Sequence, residues 1–85
     1  MVEFDYTIKD DLGIHVRPAG QLAQICKSKL SKCVISLDGK EAEITKLFAV
    51  MALAVKCGDT VSIKVDGADE EQTAAEIKKF MSENL

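Results

Sequence analysis

This chain has no tryptophan, one tyrosine, one proline, one histidine and no stretch approaching the ~18 consecutive apolar residues that cross a bilayer. The opening "MVEFDY" lacks the basic start and apolar run of a secretory signal, so the protein is expected to stay in the cytoplasm, with no direct membrane insertion. Positive charge is not in excess either: 11 lysines and arginines face 14 aspartates and glutamates, for a net charge of −3. Binding a phosphate backbone normally demands a basic face, so no nucleic-acid partner is expected. The three cysteines, Cys26, Cys33 and Cys57, are odd in number and contain no C-x-x-C pair, a poor disulfide framework that suits a reducing compartment. Together with His15 they show none of the short paired intervals of a zinc site. They read instead as small apolar residues in or near the core, and neither a metal nor an organic cofactor is expected. No linker, internal repeat or low-complexity stretch divides the 85 residues, which are read as one domain, 1–85.

What the chain does have is alternation. In "VEFDYTI", Val2, Phe4, Tyr6 and Ile8 stand opposite Glu3, Asp5 and Thr7, the mark of a strand with one dry and one wet face. "TVSIKV" repeats the pattern with Val61, Ile63 and Val65. "CVISLDGKEAEI" reads as two short strands around Asp38-Gly39, a strong hairpin signal; Cys33, Ile35 and Leu37 share a face, as do Ala42 and Ile44. Strands with a polar second face argue for an antiparallel sheet that is solvated on one side.

Three helical segments can cover the dry side. Val16, Ala19, Leu22, Ala23, Cys26 and Leu30 recur at helical spacing, and Pro18 fits a first turn, where its missing N–H removes no bond. Near the C-terminus, Asp69 and Gln72 stand at capping-box spacing, with Ala74, Ile77, Phe80 and Met81 on one side. The middle segment, "KLFAVMALAVKCG", is apolar nearly all round, and Gly58 is a candidate terminator. A sheet with one dry face cannot bury such a helix completely. Leu47, Phe48 and Met51 therefore either reach solvent as a docking surface or fill the core beneath the adjoining loop. The order is β-α-β-β-α-β-α: a two-layer α+β open-faced sandwich, with three helices on one face of a four-stranded antiparallel sheet.

The chemistry concentrates in "LGIHVRPAGQ". If Val16 opens a helix, His15 is its N-cap, beside N–H groups that lack intrahelical acceptors and close to Arg17, where an anion is favoured. A neutral imidazole nitrogen is a nucleophile near neutral pH, and phosphoryl transfer asks mainly for positioning and charge stabilisation. There is no second histidine, no evident positioned base and no Walker-type glycine loop, so a carrier fits better than an enzyme. The plainer alternative is a surface or capping histidine.

At "GIHVRPA", Gly13 to Ala19, the sequence resembles the HPr family, histidine-containing phosphocarriers of the phosphoenolpyruvate-dependent sugar phosphotransferase system. The resemblance extends to "DGK" at Asp38 to Lys40, "VMALAV" at Val50 to Val55 and "DGADE" at Asp66 to Glu70, and so to essentially the whole chain. It implies that enzyme I delivers a phosphoryl group to Nδ1 of His15, which then passes to the A domain of a sugar permease. Arg17 would neutralise phosphoryl charge, with help from the backbone N–H groups of Val16 and Arg17. Leu47, Phe48 and Met51, with Gly20 and Gln24, would form the partner-docking surface, and the chain would act as a monomer.

Three positions depart from the family pattern. Lys46 stands where many Gram-positive members carry a regulatory serine, and Thr45 is one residue out of register. Leu12 replaces a small polar residue, and Ala54 replaces a helix-ending glycine, so the middle helix is expected to run slightly longer. Two other functions stand beside the sugar-system carrier: a regulatory binding module that carries no phosphate, and a carrier in a specialised or nitrogen-related phosphorelay. The presence of His15 with lysine at position 46 disfavours the binding module.

Overall fold

The computed structural model describes residues 1–85. Seven elements follow one another: β1 (Val2–Thr7), α1 (Val16–Lys27), β2 (Ser31–Leu37), β3 (Lys40–Glu43), α2 (Leu47–Ala52), β4 (Thr60–Gly67) and α3 (Glu70–Asn84). The strands form one antiparallel sheet in the order β1-β4-β2-β3. The two most apolar strands are thus central, with Cys33 opposite Val65 and Ile35 opposite Ile63, while β1 and the short β3 form the edges. Val61, Ile63, Val65 and Ile35 have no exposed surface and meet Leu22 of α1 and Ile77 and Met81 of α3 in one apolar core. The other face carries the polar set that alternation assigns to water, including Glu3, Asp5, Lys32 and Lys64.

The hairpin forms as its sequence demands. Asp38 and Gly39 both take positive φ, +52° and +84°, the geometry of a two-residue turn whose twist matches its strands. Leu85 is buried, and its carbonyl accepts the N–H groups of Lys9 and Asp10 just past β1. The Tyr6 hydroxyl donates to the Met81 carbonyl at 3.0 Å, tying β1 to α3.

Three local expectations are corrected. Val16 and Leu30 do not belong to the buried stripe of α1: they are 61% and 78% exposed. Val16 is the first helical residue and Leu30 lies past the last, so neither overlies the sheet. The middle helix does not run on but is short, ending at Ala52, well before Gly58. Leu53 and Ala54 close it with N–H bonds to Val50 and Met51, and Ala54 takes φ +53°. That reversal turns Val55 into the core and presents its carbonyl to Ile14. Finally, Asp69 is the N-cap residue of α3, but its carboxylate makes no cap bond. It accepts instead from the Leu30 N–H at 3.0 Å and the Ser31 hydroxyl, fastening the α1–β2 connection to the start of α3. These two donors, the Leu30 N–H foremost, hold the Asp69 carboxyl below its ordinary range. No helix is long and apolar enough to cross a membrane.

Candidate functional site

His15 is held by a connection that is fixed at nearly every residue. Ile8 leaves β1 buried in the core, and its carbonyl accepts the Gly58 N–H at 2.8 Å. Asp10 then folds the chain back: its side chain accepts from the Leu12 N–H at 2.8 Å and its carbonyl from the Gly13 N–H at 2.9 Å. Gly13 takes φ +66° directly under the Val55 carbonyl, where a Cβ could not fit. Ile14 completes the clamp, with its side chain in the core and its N–H bonded to Val55 O at 3.1 Å.

The chain therefore enters α1 at His15 in fixed register. His15 is extended, at φ −107° and ψ −179°, and is the N-cap of the helix; its carbonyl accepts the first intrahelical bond, from Ala19 at 3.1 Å. Its ring makes no capping bond, and no acidic residue occupies the first turn. The consequence is local and electrostatic. The N–H groups of Val16 and Arg17 have no acceptor within the chain, and Pro18 has no N–H to offer. Pro18 and Ala19 are buried, so the helix start is rigidly seated, while His15 is half-buried and Arg17 exposed. The Arg17 guanidinium belongs to none of the ion pairs in the molecule. A half-buried imidazole and two unpaired amides thus occupy one positively polarised helix end, in whose first turn the exposed, unpaired Arg17 is rooted.

The other singled-out residues divide between two helices. On α2, Phe48 is 86% exposed, while Leu47 and Met51 are half-buried against the core, so the two alternatives for this segment are both partly realised. On α1, which packs against α2, Gly20 has open space about its Cα and Gln24 is exposed. Lys46 is the exposed N-cap of α2; its ammonium lies 3.6 Å from the Glu43 carboxylate. Thr45 beside it is half-buried. Two apolar residues next to His15 escaped the sequence reasoning as surface groups: Leu12, 72% exposed, and Val16. The available signal was the helix start itself, since a residue at the first helical position flanks the cap rather than the sheet.

The cysteines do not gather around His15. Cys26 and Cys33 are buried neighbours, whereas Cys57 is exposed with its thiol 3.7 Å from the Lys9 carbonyl. No three His, Cys, Asp or Glu side chains cluster as metal ligands would.

Residues 2–83 match the family model described as "PTS HPr component phosphorylation site". A phosphocarrier protein HPr of Mycoplasma genitalium is 39% identical over 85 residues, covering 99% of this chain and 97% of that one. Its counterpart in Mycoplasma capricolum is 35% identical, covering 95% and 91%. Among solved structures, a histidine-containing phosphocarrier protein from Mycoplasma superimposes with a TM-score of 0.91 at 34% identity, covering 94% of this chain and 91% of that chain.

Proposed function

The chain belongs to the HPr family of the phosphotransferase system, histidine phosphoryl carriers rather than enzymes, and from that membership we propose that His15 is its phosphoryl-accepting residue. Nδ1 attacks the phosphorus held by phospho-enzyme I; the bond to the donor breaks as the bond to the imidazole forms. The reverse sequence delivers the group to the A domain of a sugar permease. The observation that carries this reading is the pair of unpaired N–H groups at Val16 and Arg17, beside a half-buried imidazole that N-caps the same helix. The added phosphoryl brings dianionic charge, which the two amides, the helix dipole and the Arg17 guanidinium would stabilise. Nothing in the cradle activates water, so the group is held rather than hydrolysed, as a carrier requires.

Enzyme I and the acceptor domain would dock on the apolar surface flanking the cradle: Leu47, Phe48 and Met51 of α2, Gly20 and Gln24 of α1, and the exposed Leu12 and Val16. A single copy of the chain contains every residue of this arrangement, which supports action as a monomer. Lys46 has no hydroxyl to esterify and Thr45 is half-buried one residue away, so the proposed cycle assigns no phosphorylation to Lys46.

Incubation with enzyme I and phosphoenolpyruvate is expected to place one acid-labile phosphate on the protein, detected by intact mass. His15→Ala abolishes the label; Arg17→Ala slows transfer while circular dichroism stays unchanged. An unmodified protein, in a reaction that labels a known carrier, overturns the proposal.

A further inference from the structure

Two residues other than glycine take a positive φ in this chain, Asp38 and Ala54. The hairpin accounts for Asp38. Ala54, at φ +53°, lies in no hairpin, and in that region a Cβ crowds its own backbone. Such strain persists only where the surrounding structure holds it, and it collects at functional sites. Ala54 is exposed, so its methyl group fills no gap in the core. The backbone on either side fixes its conformation. Its N–H closes α2 on the Met51 carbonyl at 3.0 Å, and the next residue, Val55, is buried. Beyond Val55 the chain is pinned against the end of β1. The Lys56 N–H donates to the Asp59 carboxylate at 2.9 Å, the Gly58 N–H to the Ile8 carbonyl at 2.8 Å, and the Ile8 N–H to the Asp59 carbonyl at 2.9 Å.

A right-handed Ala54 would carry α2 on by another residue. Helix carbonyls point along the axis, so the Val55 carbonyl would leave the Ile14 N–H, which it now meets at 3.1 Å. The left-handed turn instead brings that carbonyl over Gly13 and onto Ile14, immediately before His15. We propose that Ala54 is a positioning residue for phosphoryl acceptance. Its left-handed backbone aims the Val55 carbonyl at Ile14, and so holds His15 in the extended N-cap conformation beside the Val16 and Arg17 amides. This role rests on the reading of His15 as the acceptor. It adds a residue that acts through Val55 and Ile14, from beyond the β2–β3 hairpin in sequence.

Because position 54 is exposed, substitutions there alter backbone preference without repacking the core. Glycine takes the left-handed conformation freely, whereas a β-branched valine resists it more than alanine does. The test compares the full-length wild-type protein with Ala54→Gly and Ala54→Val. Amide hydrogen exchange at Ile14 reports the bond to Val55 and needs no enzyme I. Transfer from phospho-enzyme I, followed over a range of protein concentrations, gives kcat and KM. Ile14 is expected to exchange about threefold more slowly in Ala54→Gly than in the wild type, and about tenfold faster in Ala54→Val. In Ala54→Val, kcat falls about tenfold or more while KM stays within about twofold; Ala54→Gly keeps at least the wild-type kcat. A folded Ala54→Val protein with wild-type kcat, or with Ile14 as protected as in the wild type, would overturn the role. If Ala54→Val does not fold, Ala54→Gly decides: Ile14 exchange as fast as in the wild type, or faster, overturns it. An unlabelled wild-type protein removes the His15 reading and this role with it, whereas a labelled wild type beside an unaffected Ala54→Val removes this role alone.

Discussion

Gly13→Ala tests whether the His15 connection is clamped as described. The residue takes φ +66°, where a side chain is strained by about 1–2 kcal/mol. An added Cβ would also overlap the Val55 carbonyl oxygen and lie 2.8 Å from the Lys56 Cα, both backbone atoms that cannot swing aside. Forcing such a group into a packed site costs about 1–3 kcal/mol, so the total is roughly 2–5 kcal/mol. An 85-residue protein has on the order of 4–13 kcal/mol of stability, so this is a large fraction. Gly39→Ala is the matched control: its φ is +84°, but nothing lies within 4 Å of the new Cβ, which leaves only the conformational term of ~1–2 kcal/mol. Since the chain has no tryptophan, urea unfolding is best followed by circular dichroism. Gly13→Ala should unfold at clearly lower urea than Gly39→Ala, and at a permissive temperature it alone should slow phosphoryl acceptance. Equal midpoints for the two variants would refute the close approach of Gly13 to Val55.

Phe48→Ser removes a ring that is 86% exposed, so stability should change by no more than ~0.5 kcal/mol. Affinity for enzyme I, measured by titration calorimetry, should fall about tenfold or more if the ring is an anchor. Ile63→Ala empties a fully buried site in the central strand and should cost ~2–5 kcal/mol in urea unfolding; a loss below ~1 kcal/mol would mean the core is not packed around β4. Asp69 has a folded-state carboxyl held below the ordinary 3.8, so its stabilising contribution is complete above the unfolded value and disappears as pH falls through the folded one. Asp69→Asn should therefore flatten the acid limb of the stability–pH profile, and an unaltered limb would show that the Leu30 and Ser31 contacts contribute nothing.

The strands were legible because a half-buried strand writes its two faces directly into alternating letters, as in "VEFDYTI" and "TVSIKV". Asp38-Gly39 needed only local geometry, and the N-cap position of His15 followed from where α1 could begin. What escaped depends on contacts between distant segments. The early end of α2 answers to Ile14, more than thirty residues earlier, whose N–H takes the Val55 carbonyl. Asp69 has the sequence signature of a cap, yet Leu30 and Ser31 claim its carboxylate. Val16 and Leu30 fit the helical period but lie at and beyond the ends of α1, where period no longer implies burial. The neighbourhood of Cys26 and Cys33 was equally unreadable, because it is created by the packing of α1 on β2.

The most direct test is a proton–nitrogen correlation spectrum of the labelled protein before and after phosphorylation by enzyme I and phosphoenolpyruvate. If the unpaired amides hold the transferred group, the largest downfield shifts belong to Val16 and Arg17, with phosphorus bonded to His15 Nδ1. Phosphate on any other residue, or unmoved Val16 and Arg17 amides in a fully phosphorylated sample, would contradict it.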